Sequence, residues 1–410
     1  MNTPRPSTLL TLDEALSRLL GALTPLTETE VVSTFDGLGR VLAQEVRSLV
    51  NVPSADNSAM DGYAMRAADV PSAGTVLPIS QRIAAGTVGA AHTPGTAARI
   101  FTGALVPEGA DAVVMQEQCE ALDGAVRINT VPETGLAVRK RGEDLARDAV
   151  ALPRGLRLTP QALGLAATAG VATLTVSRRP RVALFSTGDE LAMPGEPLKP
   201  GAIYNSNRFT LRALIQALGC ECTDLGIVPD RLDATREALR RAAQGNDLIV
   251  TSGGVSVGEE DHLKPAVQAE GKLELWQMAI KPGKPLAFGS VRRADDSSAW
   301  FVGLPGNPVS SFVTFLLAVR PLLLKLQGAT ALQPTGVPMR ADFDWPRADK
   351  RREFLRARRN ERGGLDLFTN QGSGVLTSTV WADGVIDNPP DTPIRAGDTV
   401  RFVSLAEWVA

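Results

Sequence analysis

Apolar and polar positions recur with different periods along the chain, and the changes of period divide it. At residues 11–24, Leu12, Ala15, Leu16, Leu19, Leu20 and Leu23 recur at nearly helical spacing behind Thr11 and Asp13, which predicts an opening helix with an N-terminal cap. From about 52 to 131 the apolar runs are short, as in Val76-Leu77-Pro78-Ile79 and Ala112-Val113-Val114-Met115, and Gly-Thr, Pro-Gly and Asp-Gly pairs punctuate them. That pattern predicts a small β-rich domain. Residues 136–178 return to a helix-like stretch, opened by Thr159-Pro160-Gln161, and then to a short strand. The β-rich part, 49–135, therefore reads as an insertion into one discontinuous linking domain, 7–48 plus 136–178.

Between 181 and 327 strand and helix alternate, with strands at 182–185, 225–229, 248–250 and 301–302 and helices at 209–218, 232–243 and 309–326. Such alternation builds a parallel sheet covered by helices on both faces, and it predicts an α/β domain over 179–328. The last stretch, 329–410, has short strands with turns at Gly363-Gly364, Asp383-Gly384 and Ala396-Gly397-Asp398, as in a compact all-β unit. The fold class is thus α/β and β, multidomain.

A length of 410 residues suits two to four domains. Forty-three basic residues against 45 acidic ones leave a net charge of -2, which gives no overall field for a nucleic acid or an anionic membrane. Cys119, Cys220 and Cys222 lack the spacing of a zinc or redox pair and read as plain thiols of a reducing compartment. Residues 1–11 lack the charged start and apolar stretch of a secretory signal. The longest apolar stretch, 313–326, is interrupted by Arg320, Pro321 and Lys325 and reads as too short to span a bilayer. The expectation is a soluble cytoplasmic protein with no nucleic acid or membrane partner.

Three polar loops follow the apolar runs: Ser186-Thr187-Gly188-Asp189-Glu190, Thr251-Ser252-Gly253-Gly254-Val255-Ser256 and Leu304-Pro305-Gly306-Asn307-Pro308. In a parallel sheet all three emerge at the edge where such folds bind ligands. The glycines and serines of the second loop suit either an anion-binding concavity of backbone N–H groups or a tight turn needing positive φ. No Gly-Lys-Ser/Thr follows, so it is not a P-loop. Asp230 and Asp261 are candidate ligands for a hard cation at that edge, with Asp189 and Glu190 beside them. Glu259 and Glu260 read better as decoration of a helix N-terminus. Lys281-Pro282-Gly283-Lys284 predicts a type II turn that brings two ammonium groups close together, which suits a bound anion or an ordinary solvated turn.

In the β-rich part, Asp56 to Tyr63 is dense in polar groups that serve a turn or a site, and Arg139-Lys140-Arg141-Gly142-Glu143-Asp144 is equally balanced. His92 and His262 have no partner at metal-ligand spacing, and His92 reads as a surface residue. The basic stretch from Arg347 to Arg362 reads as a solvated β-hairpin with one or two arginines turned toward a substrate phosphate. It lacks the aromatics that nucleic acid binding wants.

Taken together, Asp56 to Ala64, Phe101-Thr102-Gly103-Ala104, Arg141 to Asp144, Ser186 to Leu191, Thr251 to Gly258 with Asp261, Lys281 to Pro285, and Gly303 to Pro308 follow the order of motifs in the MoeA family, the molybdopterin molybdenumtransferases. The resemblance runs from about residue 10 to the C-terminus. It implies a central MogA-like α/β domain, a C-terminal small β-barrel at 329–410, and an elongated homodimer whose cleft lies between the α/β domain of one subunit and the β-rich domain of the other. The implied substrates are molybdate and adenylylated molybdopterin, the implied cofactor is Mg²⁺, and the implied products are the molybdenum cofactor and AMP. Carried onto matching positions, the implied catalytic residues are Asp61, Thr102, Asp144, Glu190, Lys281 and Lys284. Arg139, Asp189, Ser252, Gly253, Gly254, Ser256, Pro305, Pro308 and Ser373 are implied to bind substrate, and Asp230, Asp261 and Glu190 the metal. No second domain for adenylylation is fused to the chain, which implies a transient contact with a separate molybdopterin adenylyltransferase. Two rival readings are that the chain itself adenylylates molybdopterin, or that it is a non-catalytic dimeric scaffold for cofactor assembly.

Overall fold

The buried runs after residue 180 are strands of one seven-stranded sheet in the computed structural model, which describes residues 9–254 and 262–409. Strands Ser298–Leu304, Leu248–Ser252, Arg181–Thr187 and Glu221–Val228 lie side by side in that order, all parallel. Successive residues of one strand face opposite cores. Val182, Leu184, Leu248 and Val250 pack with helix Ser206–Ala217, and Ala183, Phe185 and Ile249 pack with helices Leu232–Ala243 and Leu263–Glu270.

The sheet is not wholly parallel, which corrects the sequence reading. Strands Gly271–Met278 and Pro285–Arg292 pair antiparallel, and the second runs antiparallel beside Ser298–Leu304. The interval between them, 279–284, is too short for the crossover that a parallel connection requires. Polar Lys272, Glu274 and Gln277 hide the first of these strands from a search for apolar runs.

The opening helix, Leu12–Ala22, is fixed by a capping box between Thr11 and Glu14. Its Leu12, Ala15 and Leu19 share a core with Leu316, Leu322, Leu323 and Leu326 of the α/β part, and strand Leu9–Leu10 extends the large sheet beside Gly271–Met278. The stretch 7–48 is therefore not one body. Its later part pairs with the second stretch: Thr29–Ser33 with Thr173–Ser177, and Val46–Arg47 with Val150–Leu152, around Leu42, Leu158, Ala162 and Val176. Between them, Gly62–Met65, Thr75–Ile83, Ala97–Ile100, Ala112–Met115, Cys119–Leu122 and Ala125–Ile128 form a separate six-stranded sheet.

Helical structure runs without a break over Pro308–Leu326, 19 residues long and apolar enough by length and composition to cross a membrane, with 89% of the window buried inside the protein. The helix expected at 309–326 is present, and Arg320, Pro321 and Lys325 do not make its apolar stretch too short by length and composition, which corrects that part of the sequence reading. Pro321 follows a π turn, Phe315–Val319, where the regular ladder is already altered, Arg320 donates to the carbonyls of Trp408, Leu332 and Glu407, and Lys325 donates to that of Leu20.

The C-terminal sheet is ordered Ile280–Lys281, Arg352–Arg359, Gly384–Asn388, Thr399–Ser404, Val337–Arg340, with Leu365–Leu367 also on Arg352–Arg359. The basic stretch does form a hairpin with Leu365–Leu367 and is exposed at Arg358, Arg359 and Arg362, but it is not solvated throughout. Its strand is interior to the sheet, with Glu353, Phe354, Leu355, Arg356 and Ala357 buried. His92 is likewise buried rather than on the surface. Its Nε2 lies 3.7 Å from Asp69, which is also paired with Arg66 and accepts from the Gly95 N–H at 2.9 Å.

Leu19→Ala is expected to cost about 2–5 kcal/mol. By hydrogen exchange, protection should fall in Pro308–Leu326 and not in the Thr29–Ser33 and Thr173–Ser177 pair. The Arg66 fork, with help from Gly95 and His92, holds the Asp69 carboxyl down to about 2. A carboxylate with a depressed folded pKa stabilises above its unfolded pKa and loses that contribution as pH falls through the folded one. Denaturant titrations should therefore show a constant advantage over Asp69→Asn from about pH 7 to 5, fading between about pH 4 and 2.

Candidate active site

Parallel register sets Ser186 opposite Ser252 and Ser252 opposite Leu304, so the three loops leave one edge together. The Ser186 and Ser252 hydroxyls meet at 3.2 Å between the strands, and the Gly253 N–H donates to the Leu304 carbonyl at 3.1 Å. Gly253 has φ +92, and a Cβ there would stand 2.8 Å from the Thr187 carbonyl oxygen. Only glycine lets the loops approach this closely. From the first turn of helix Ser206–Ala217, Asn207 donates to the Gly306 carbonyl at 2.7 Å, and from the end of strand Glu221–Val228 the Asp230 N–H donates to Asp189 Oδ1 at 3.2 Å.

Beyond these loops opens a cavity of about 770 Å³. Glu190, Asp230, Ser252, Gly253, Gly254, Lys281, Lys284, Pro305 and Ser373 line it, and so bring together nine residues that sequence singled out. Asp189 sits at its side through Asp230, and Pro308 opens the helix that follows Asn307. Ser256 and Asp261, with Glu259 and Glu260, lie outside the described residues. Among the described residues no group of three or more His, Cys, Asp or Glu side chains is arranged to hold a metal.

The Lys281-Pro282-Gly283-Lys284 segment is not the expected type II turn. The Lys281–Pro282 peptide is cis, and the segment is closed by the Met278 N–H on the Lys284 carbonyl at 2.7 Å. Lys281 does not rely on an anion between two ammonium groups either. Its strand pairs parallel with Arg352–Arg359, setting Lys281 opposite Glu353, and its Nζ lies 3.2 Å from Glu353 and 3.3 Å from Asp349. Glu353 is 0% exposed and also accepts from the Trp345 indole at 2.9 Å and the Asp349 N–H at 3.2 Å. Asp349 in turn takes both arms of Arg351 at 2.9 Å. Arg351 above all, with its own backbone N–H and Lys281 adding, holds the Asp349 carboxyl well below the usual range despite partial burial.

Sequence reasoning left Asn205, Asn207, Arg351, Gln371 and Gly372 out of the site, although all line the cavity. The expectation of one or two arginines turned toward substrate carried the only signal; Arg351, from that basic stretch, lines the cavity with its guanidinium on Asp349. Asn205 caps helix Ser206–Ala217 through the Arg208 N–H at 3.2 Å.

A second cluster lies in the β-rich part. Asp61 Oδ1 accepts from the Thr102 N–H and hydroxyl, each at 2.8 Å, and these two bonds, backbone first, keep its carboxyl below the ordinary value. Arg139 pairs through its backbone with Asn57, and the Asp144 N–H donates to the Val52 carbonyl at 3.1 Å. None of Asp61, Thr102, Arg139 and Asp144 is in the wall of the cavity of their own chain.

Three family models match the chain: "MoeA N-terminal region (domain I and II)" over residues 10–170, "Probable molybdopterin binding domain" over 183–325, and "MoeA C-terminal region (domain IV)" over 338–405. The molybdopterin molybdenumtransferase of Haemophilus influenzae is 40% identical over 96% of this chain and 98% of its own length. That of Nostoc sp. is 36% identical over 98% and 94%. The crystal structure of the molybdopterin biosynthesis moeA protein from Pyrococcus horikoshii OT3 superposes with a TM-score of 0.83 at 29% identity, covering 97% of this chain and 100% of that one. With relatives matched from end to end and models for both its N- and C-terminal regions, the chain belongs to the MoeA family, the molybdopterin molybdenumtransferases.

Proposed function

We propose that the chain inserts molybdenum, delivered as molybdate, into the dithiolene of adenylylated molybdopterin and releases AMP. The observation that carries this reading is the convergence of Lys281, Lys284 and Arg351 with the glycine-freed segment Ser252 to Gly254 and the Glu190 and Asp230 carboxylates around one cavity. Molybdate is a small dianion and the phosphoanhydride adds further negative charge, so the site needs cations and fixed donors for both. Lys284, Arg351 and Ser373 hold the molybdate oxygens. The backbone amides of Gly253 and Gly254 and the Ser252 hydroxyl hold the phosphates, as pre-placed donors that need no reorganisation. Lys281, anchored by Asp349 and Glu353, adds charge from a fixed position, and Pro305 and Pro308 shape the wall.

Glu190 and Asp230 are hard oxygen donors on the same cavity, the ligand type Mg²⁺ prefers, and Asp261 is the third ligand implied by the family resemblance. The ion supplies Lewis-acid stabilisation of phosphate oxygens when bound. Asp61, Thr102, Arg139 and Asp144 complete the site from the second subunit of a homodimer. Support comes from the position of the Asp61 and Thr102 pair, which is exposed and away from its own chain's cavity. The adenylylated pterin is delivered in the cytoplasm by transient contact with an adenylyltransferase. Neither rival reading is favoured, because relatives matched over nearly their full length are named for the molybdenum transfer.

With adenylylated molybdopterin as substrate, AMP should appear only when molybdate and a divalent cation are both supplied. Asp230→Asn should then need about tenfold more Mg²⁺, the scale of one lost charged ligand. Unchanged Mg²⁺ dependence would remove Asp230 from the metal site, and pyrophosphate released from ATP and molybdopterin would favour the adenylylating reading. Shared sites also predict complementation. Asp61→Asn and Lys284→Met proteins, each inactive, should regain about a quarter of wild-type AMP release after subunit exchange, because half the dimers are mixed and each mixed dimer has one intact site. No recovery with exchange demonstrated would place both residues in the same subunit's site.

A further inference from the structure

Arg356 stands one layer behind the cavity wall and takes no part in the chemistry proposed for the cavity. It is 1% exposed, and among the described residues its guanidinium meets no carboxylate. Its Nε donates to the Ser378 hydroxyl at 3.1 Å, Nη1 to the Phe354 carbonyl at 3.1 Å, and Nη2 to the Gly372 carbonyl at 3.3 Å. The backbone of the same residue clamps the Gln371 amide from both sides, its N–H donating to Oε1 at 2.9 Å and its carbonyl accepting from Nε2 at 3.0 Å. The next residue after Gly372, Ser373, accepts at its carbonyl from the Val309 N–H at 2.9 Å, which ties it to the start of the helix after the third loop. Gln371, Gly372 and Ser373 all line the cavity.

A buried guanidinium without a counter-ion is costly, and an apolar side chain of similar volume would fill the same space at no such expense. Burial pulls its pKa down only to about 10, so it stays a cation at neutral pH. What an apolar substitute could not supply is the grip on the Gly372 carbonyl, or the charge directly behind an anion-binding wall. Arg351 and Arg356 share one strand region but act differently, since Arg351 reaches the cavity whereas Arg356 holds the loop opposite it.

We infer that Arg356 is a positioning residue for molybdate binding, which fixes the Gln371-Gly372-Ser373 segment so that Ser373 meets the oxyanion in one orientation. The inference rests on the reading that this cavity binds molybdate. The test uses the full-length protein and compares wild type, Arg356→Met, Arg356→Lys and Gln371→Ala. It measures molybdate binding by calorimetry, KM for molybdate and kcat in AMP release, and the melting temperature. Arg356→Met should raise both the molybdate Kd and KM by about tenfold, the scale of one charge-assisted hydrogen bond, with kcat at saturating molybdate within about twofold. Arg356→Lys keeps the charge but not the fork, so it should stay close to the Met variant; full rescue by Lys would overturn positioning in favour of charge alone. Should Arg356→Met fail to fold, Gln371→Ala releases the same segment with the buried arginine in place and carries the same expectation. A lowered melting temperature with unchanged Kd and KM would make Arg356 a purely structural residue and end the proposal. A wild type that neither binds molybdate nor releases AMP would sink the functional reading itself, whereas a fully active wild type matched in KM by the variants sinks only the role of Arg356.

Discussion

The two-residue pairing of Ile280–Lys281 with Arg352 and Glu353 is the constraint on which the cavity depends. It makes one strand of the α/β half an edge of the C-terminal sheet and, with the core that Phe354, Val385 and Val403 share with Leu316 and Leu317, sets loops of both parts around one cavity. Glu353 secures the junction chemically. A carboxylate that is 0% exposed must be matched, and its partners are Lys281 from the α/β side and Trp345 and the Asp349 backbone from its own. Removing the Lys281 charge would leave the Glu353 carboxylate buried without a cation, which is costlier than losing a surface pair, whereas Lys281 would keep Asp349 and its partial exposure if Glu353 were removed.

That junction also governs the electrostatics. Lys281 and Arg351 are both engaged by Asp349, so two of the three cavity cations are already held in place when substrate arrives. Orientation costs are met during folding rather than on binding, which is the advantage of preorganised charge. The carboxylates of Glu190 and Asp230, from the other side of the sheet edge, give the same cavity the oxygen donors a hard cation wants. Basic and acidic side chains thus share one space, in part because the parallel register of Arg181–Thr187, Leu248–Ser252 and Ser298–Leu304 brings their loops to one edge.

Much of this was legible in the chain because burial leaves a mark on sequence. Strands covered on both faces read as continuous apolar runs, so Leu248–Ser252 and its neighbours, and with them the common edge of the three loops, could be placed in advance. Helix Leu232–Ala243 was legible from its period, and Thr11 from its cap. The antiparallel pair was not, because Lys272, Glu274 and Gln277 break up the apolar signal. Nor was the role of the basic stretch. A run of arginines looks solvated unless its partners are known, and those of Glu353 and Arg356 lie at Lys281, 72 residues away, and in the Gly372 loop. The opening helix was recognised as a helix, but periodicity cannot say which core it joins, and Leu19 packs with the helix that ends at Leu326.

Locating the oxyanion tests the proposed site most directly. Tungstate carries the charge and shape of molybdate and scatters anomalously, so a crystal soaked with it reports the site without assuming any chemistry. A tungsten peak is expected inside the cavity, within hydrogen-bonding reach of Lys284, Arg351 and Ser373. A fully occupied peak elsewhere on the molecule, with the cavity between the three loops and the C-terminal sheet left empty, would contradict it.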